Sequence, residues 1–214
     1  MVDWGVYLVT QASLSEGRTT AEIVEQAIAG GVGVVQLREK DRSARERYKL
    51  GRQLRTLTRE AGVTFVVNDR VDLAQAVDAD GVHLGDSDLP IPVARELLGE
   101  DAVVGRSVSF VEDARAAEAA GADYLGVGAV YATGSKADIE DDEYAVGTDR
   151  LGEIAAAVDI PVVGIGGVTA DNATEVVAAG ADGVAVITAI TGADDPEAAT
   201  RELREAVERG RSER

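Results

Sequence analysis

Eight short apolar runs recur along this chain, and a segment of helical character follows each of them. Alternation of this kind demands a parallel sheet, because parallel neighbours are reached only through a long crossover. The runs are Val6 to Thr10, Val34 to Arg38, Thr64 to Val67, Gly81 to Gly85, Val103 to Ser107, Tyr124 to Val130, Pro161 to Ile165 and Gly183 to Ile187. Between them, helices are expected from Thr20 to about Ile28, Ser43 to about Ala61, Val71 to Val77 and Val93 to Leu98. Further helices are expected from Val111 to Ala120, Asp149 to Val158, Ala170 to Ala179 and Pro196 to Arg209. Eight units in 214 residues fit a closed (β/α)8 barrel of TIM type better than an open sheet, with residues 1–214 as a single α/β domain. An internal echo supports closure. Gly30-Gly31-Val32-Gly33, Asp80-Gly81, Gly121-Ala122-Asp123-Tyr124 and Gly180-Ala181-Asp182-Gly183 each lead into an even-numbered strand, and its reading is architectural.

The second run turns abruptly into charge: Val34-Val35-Gln36-Leu37-Arg38-Glu39-Lys40. Gln36 and Arg38 share one side of a strand, Lys40 would follow if the strand continued, and Val35 and Leu37 face the other way. A polar row beside a core is costly unless something meets it there. It is either a solvated edge or part of a site, and a closed barrel has no edge.

In such a barrel the C-terminal strand ends face one mouth. Those ends carry Gln36, Arg38 and Lys40, then Asn68 and Asp69, the loop aspartates Asp86 and Asp88, and Ser107. They continue with Thr133-Gly134-Ser135-Lys136, Gly166-Gly167 and Ile187-Thr188. Asp69 and Asp88 suit Mg²⁺, which takes one or two carboxylates, or they cap the helices they precede. Gly164-Ile165-Gly166-Gly167, with Ile187-Thr188, is either a phosphate-binding turn or a tight strand-to-helix connection. The hydroxyls and ammonium of Thr133, Ser135 and Lys136 suit a phosphate or diphosphate. The acidic run from Asp138 to Glu143 reads as solvated surface. His83, the one histidine, sits mid-strand and reads as a satisfied wall residue.

Charge excludes one broad class of partner. Thirty-nine acidic residues against 21 basic ones give −18, which argues against a nucleic-acid surface. No apolar run reaches membrane-spanning length, and no secretory pattern opens the chain, so a cytoplasmic location is expected. The absence of cysteine removes disulfides and thiolate metal sites. An acid-rich chain with only Lys40, Lys49 and Lys136 as lysines suits a high-salt cytoplasm. Any anion site in it needs locally focused positive charge.

Gln36-Leu37-Arg38-Glu39-Lys40, Asn68-Asp69, Gly81-Val82-His83-Leu84-Gly85 with Asp88-Leu89-Pro90, and Gly164-Ile165-Gly166-Gly167 together resemble thiamine phosphate synthase. The resemblance runs in order over nearly the whole chain. It implies a barrel that joins 4-amino-2-methyl-5-(diphosphooxymethyl)pyrimidine to 4-methyl-5-(2-phosphoethyl)thiazole, or its carboxylated form, with Mg²⁺ required. It implies that Gln36, Arg38, Lys40, Asn68 and Lys136 contact the pyrimidine diphosphate and that Ser107 lies near it. Asp69 and Asp88 would ligate Mg²⁺. Thr133, Ser135, Gly167, Ile187 and Thr188 would hold the thiazole phosphate. The chain departs from the family at Ala132-Thr133-Gly134-Ser135-Lys136, where Pro-Thr-x-Thr-Lys is usual, at Thr188, often serine, and at Asp86, commonly glutamine. A related thiazole tautomerase uses a histidine near the end of strand six, where Ala129 stands here, and a non-catalytic phosphoryl-ligand barrel is a second alternative. Self-association is open.

Stability and activity are expected to decline as salt is withdrawn. Thermal unfolding across a salt series checks this, and full retention at low salt would remove the high-salt reading.

Overall fold

The computed structural model describes residues 1–132 and 145–214. Eight parallel strands close into a barrel in chain order: β1 (Val6–Val9), β2 (Val34–Leu37), β3 (Thr64–Asn68), β4 (Gly81–Leu84), β5 (Val103–Val108), β6 (Tyr124–Val127), β7 (Val162–Ile165) and β8 (Gly183–Val186). Around them lie α1 (Thr20–Ala29), α2 (Ala44–Ala61), α3 (Val71–Val77), α4 (Ile91–Leu98) and α5 (Val111–Ala119). The ring is completed by α6 (Gly147–Ala155), α7 (Ala173–Ala178), α8 (Thr188–Thr191) and α9 (Pro196–Ser212). The expected (β/α)8 barrel is therefore the architecture. Among the described residues, no helix is long and apolar enough to cross a membrane.

Helix starts follow local chemistry. Thr19 and Ser43 each accept a hydrogen bond from the backbone N–H three residues on, at Glu22 and Glu46, and those glutamates answer the cap's own N–H. These are reciprocal capping boxes. Asp195 caps α9 through Ala198 N–H, with Pro196 at the first helical position.

The structure corrects several boundaries, mostly at the mouth. Arg38, Gly85 and Ile187 lie beyond the ends of their strands, and β6 stops at Val127 rather than Val130. β2 ends because the chain turns at Glu39, which has φ +23°. Two short elements were not expected: a 3₁₀ turn at Ala12–Leu14, and α8, which takes Thr188 into its first turn. Four residues are too few for apolar periodicity to register.

Two apolar layers hold the barrel. Outward residues such as Leu8, Val35, Leu37, Phe65, Val82 and Leu125 pack under the helices. The interior is filled by Tyr7, Val9, Val34, Val66, Tyr124, Val163, Ala185 and Ile187. Two inward glycines make room for rings. A Cβ on Gly105 would lie 2.2 Å from the Tyr124 ring, and one on Gly126 would lie 3.0 Å from His83 Cε1. Both rings therefore fit inside the ring of strands.

At the opposite end from the mouth, the sequence echo has a chemical basis. Asp80 donates its backbone N–H to Phe65 O and accepts Phe65 N–H on its carboxylate, both at 2.8 Å. Asp123 does the same with Val104, and Asp182 with Val162. Each carboxylate also meets an arginine: Arg55 at Asp80, Arg95 at Asp123 and Arg214 at Asp182. Before β2 the matching position is Gly33, because a Cβ there would lie 2.0 Å from Asp3 O. Asp3 instead accepts Gly5 N–H and pairs with Arg204.

Asp80→Ala strands the Phe65 N–H and unpairs Arg55, so it is expected to cost about 1.5–3 kcal/mol, the range for hydrogen bonds to charged groups. Asp72→Ala, which removes an exposed pair with Arg70, is expected to cost less than about 1 kcal/mol. Urea unfolding in molar salt measures both. Equal costs would mean that the reciprocal clamp contributes no more than a surface pair.

Candidate active site at the barrel mouth

The strands' C-terminal ends surround a cavity of about 560 Å³. β2 supplies its first wall. Gln36 is 4% exposed and points inward, where its Nε2 donates to the Tyr7 hydroxyl at 2.7 Å. Arg38 is 7% exposed just beyond the strand. Its backbone N–H donates to Thr10 Oγ1 at 3.2 Å, and its Nη1 donates to Gln11 Oε1 at 2.8 Å. Lys40 does not continue the strand's alternation, yet it reaches the mouth by another route. Its Nζ lies 3.6 Å from Asp69 Oδ2.

Glu39 fixes this turn. Its carboxylate accepts Thr20 Oγ1–H at 2.8 Å and Ala12 N–H at 2.9 Å, which ties β2 to α1 and to the 3₁₀ turn. The side chain is buried and fully engaged in bracing the loop that carries Arg38 and Lys40.

Asn68 ends β3, and Asp69 follows in a left-handed conformation, φ +64°. The helix-capping alternative does not apply to either aspartate. α3 is preceded by Arg70 and α4 by Pro90, without a side-chain cap at either. Asp88 Oδ2 accepts Gly85 N–H at 2.6 Å instead. Burial pushes the Asp69 carboxyl above the usual range, as do the Asp88 charge and a hydrogen bond shared with it, against the pull of Lys40 and Arg38. Two hard oxygen donors that repel each other are chemically suited to a divalent cation. Among the described residues, no cluster of three or more potential metal ligands occurs, so this pair is the candidate.

His83 projects inward from β4. Nδ1 is 2.9 Å from the Tyr124 hydroxyl and Nε2 is 2.9 Å from Ser107 Oγ, so the imidazole is hydrogen-bonded at both nitrogens. Across the mouth, Gly166 and Gly167 have φ of +99° and +65°, conformations that favour glycine. Asn172 closes this turn by accepting Thr169 N–H and donating to Gly167 O. Ile187 precedes α8, and both it and the exposed Thr188 line the cavity.

The fold thus brings Gln36, Arg38, Lys40, Asn68, Asp69, Ser107, Gly167, Ile187 and Thr188 to one cavity. Asp88 stands behind its rim at Gly85 and Asp69. Thr133, Ser135 and Lys136 lie outside the described residues. Sequence reasoning passed over Tyr7 and Tyr124, which read as ordinary strand residues, and gave Glu39 no role. It also passed over Arg106, which donates to Gly85 O and pairs with Asp86 at 2.7 Å.

Comparison with known proteins bears on the same residues. A family model described as thiamine monophosphate synthase matches residues 6–190. A thiamine-phosphate synthase of Haloarcula marismortui is 77% identical over 211 residues, covering 99% of this chain and 100% of the relative. One from Natronomonas pharaonis is 66% identical, with 96% of each chain covered. The solved thiamine phosphate pyrophosphorylase from Pyrococcus furiosus superposes with a TM-score of 0.88 at 45% identity, covering 97% of both chains. The first two organisms are halophilic archaea, in accord with the −18 charge.

A carboxyl with a raised folded pKa stabilises the fold while protonated, and that stability is lost as pH rises through the raised value. After burial, the Asp88 charge is the largest cause of that raised value. Asp88→Asn is therefore expected to bring the Asp69 pKa down partway, because burial remains. Carboxyl ¹³C NMR titration in metal-free buffer reads the shift, and an unchanged Asp69 pKa would disprove the coupling.

Proposed function

We propose that this chain, which belongs to the thiamine monophosphate synthase family, joins 4-amino-2-methyl-5-(diphosphooxymethyl)pyrimidine to 4-methyl-5-(2-phosphoethyl)thiazole or its carboxylated form. The products are thiamine phosphate and diphosphate. The transferase activity rests on whole-chain likeness to thiamine-phosphate synthases. The observation that carries the site assignment is the convergence of Arg38, Lys40 and Asp69 at one rim of the cavity, with Asp88 behind that rim beside Asp69.

The reaction begins with heterolysis of the pyrimidine methylene C–O bond, whose electrons leave on diphosphate. Arg38 and Lys40 meet that growing negative charge in a confined site, where fixed charges act most strongly. Mg²⁺ held by Asp69 and Asp88 would supply further positive charge beside the diphosphate oxygens. The electron-rich aminopyrimidine stabilises the cation left behind, and the thiazole nitrogen attacks it with its lone pair. No protein nucleophile is needed. Gln36, Asn68 and Ser107 orient the pyrimidine half, while Gly167, Ile187 and Thr188 receive the thiazole phosphate. Thr133 and Ser135 join that second group, and Lys136 joins the first. Residues 1–214 act as one unit.

The tautomerase alternative gains nothing from the mouth. Ala129 lines the cavity, and His83 lies deeper, against Gly126 on β6.

Folded protein incubated with both substrates and Mg²⁺ in high salt is expected to release thiamine phosphate and diphosphate. Absence of product at every salt concentration would overturn the proposal. Asp69→Ala is expected to lower kcat by at least about tenfold, a loss of one charge-stabilising contact, and to raise the Mg²⁺ requirement. An unchanged rate and Mg²⁺ dependence would remove Asp69 from the site.

A further inference from the structure

A chain of hydrogen bonds crosses the barrel below the mouth, and the proposed reaction uses only its two ends. It runs from Gln36 Nε2 to the Tyr7 hydroxyl at 2.7 Å, then to the Tyr124 hydroxyl at 2.8 Å. It continues to His83 Nδ1 at 2.9 Å and from Nε2 to Ser107 Oγ at 2.9 Å. The two tyrosines are fully buried, and burial holds both phenols well above their ordinary pKa, so each keeps its proton.

Each phenol has one proton to give, and a neutral imidazole has one. The chain therefore has only two self-consistent senses, and reversing one link reverses them all. Gln36 Nε2 can only donate, so the Tyr7 oxygen accepts. Among the described residues, the Tyr7 hydroxyl has only Tyr124 left as a side-chain acceptor. Its proton must go there, because an unsatisfied buried hydroxyl would otherwise result. Tyr124 then donates to His83 Nδ1, the ring proton sits on Nε2, and Nε2–H donates to Ser107. Ser107 is left to aim its own proton into the cavity it lines.

We propose that Tyr7, Tyr124 and His83 are positioning residues that lock Ser107 as a hydrogen-bond donor to the ligand and leave Gln36 Oε1 as an acceptor. The two ends present opposite polarity to one ligand, and the links between them make that polarity a single property of the barrel interior. Gly105 and Gly126 serve the same arrangement, since a side chain at either would displace the Tyr124 or His83 ring. That the ligand is the pyrimidine substrate rests on the proposed function. The sense of the chain does not.

His83 is the only histidine, so one ¹⁵N-histidine spectrum of the full chain, without substrate, reads the sense directly. The expected result is a proton on Nε2 and a bare Nδ1. A proton on Nδ1 would overturn the proposal. Tyr7→Phe keeps the ring and shares no hydrogen bond with His83, yet it removes the link that sets the sense. It is expected to give a mixture of the two tautomers. It should also raise KM for the pyrimidine diphosphate about three- to tenfold, the loss of roughly one neutral hydrogen bond, with KM for the thiazole phosphate unchanged. Tyr124→Phe should repeat the kinetic result. A folded Tyr7→Phe protein with the wild-type tautomer, or with wild-type KM for both substrates, would also overturn the proposal. If neither variant folds, the wild-type spectrum decides alone. If the wild-type protein makes no thiamine phosphate, the proposed function fails while the spectrum still judges the chain.

Discussion

Closure is the constraint from which the rest of this structure follows. A ring of eight paired strands has no edge, so a polar side chain on its inner face cannot turn to bulk water and must find partners within. Gln36 finds Tyr7, Tyr7 finds Tyr124, and Tyr124 finds His83. Nearer the rim, where the strands give way to loops, Arg38 and Lys40 meet Gln11 and Asp69. An unpaired buried polar group costs about 1–3 kcal/mol, so a row such as Gln36-Leu37-Arg38 is stable only because its partners arrive from other strands.

The two ends of the barrel solve different problems with the same residue type. At the lower end, Asp80, Asp123 and Asp182 are saturated by backbone N–H groups and arginines. At the mouth, Asp69 and Asp88 face each other, and burial adds to their repulsion. Satisfied carboxylates stabilise the scaffold, whereas opposed ones are suited to a cation and an anionic substrate. In a chain of net charge −18, that difference comes from local partners rather than composition.

Much of this was legible in the sequence because the barrel's signals are local. Short, mostly apolar runs marked every strand, Ser43 announced its helix, and charged strand ends pointed to the mouth. What escaped reading depends on closure. Tyr7 and Tyr124 are 117 residues apart, and nothing beside either one signals a partner for its hydroxyl. Asp69 and Asp88 read either as Mg²⁺ ligands or as helix caps, and the absence of a side-chain cap at α3 and α4 is what removes the second alternative. Strand ends were overestimated for a related reason: at Arg38 and Ile187 the apolar or alternating pattern outlasts the ladder, because those side chains serve the mouth.

The reciprocal aspartate clamps also divide the barrel. Each joins an odd strand to the even strand after it, β3 to β4, β5 to β6 and β7 to β8. Arg55 and Arg95 reach Asp80 and Asp123 from α2 and α4, the helices that precede those pairs. The β3–β4 and β5–β6 quarters are thus closed by backbone bonds and dovetailed to the quarter before them by a guanidinium. New termini opened beyond Arg55 in α2, or beyond Arg95 in α4, would leave every clamp within an unbroken quarter. The same cut between β3 and β4 would sever one. The natural unit of rearrangement in this chain is therefore two strands with their two helices, rather than the single β/α step that its sequence pattern displays.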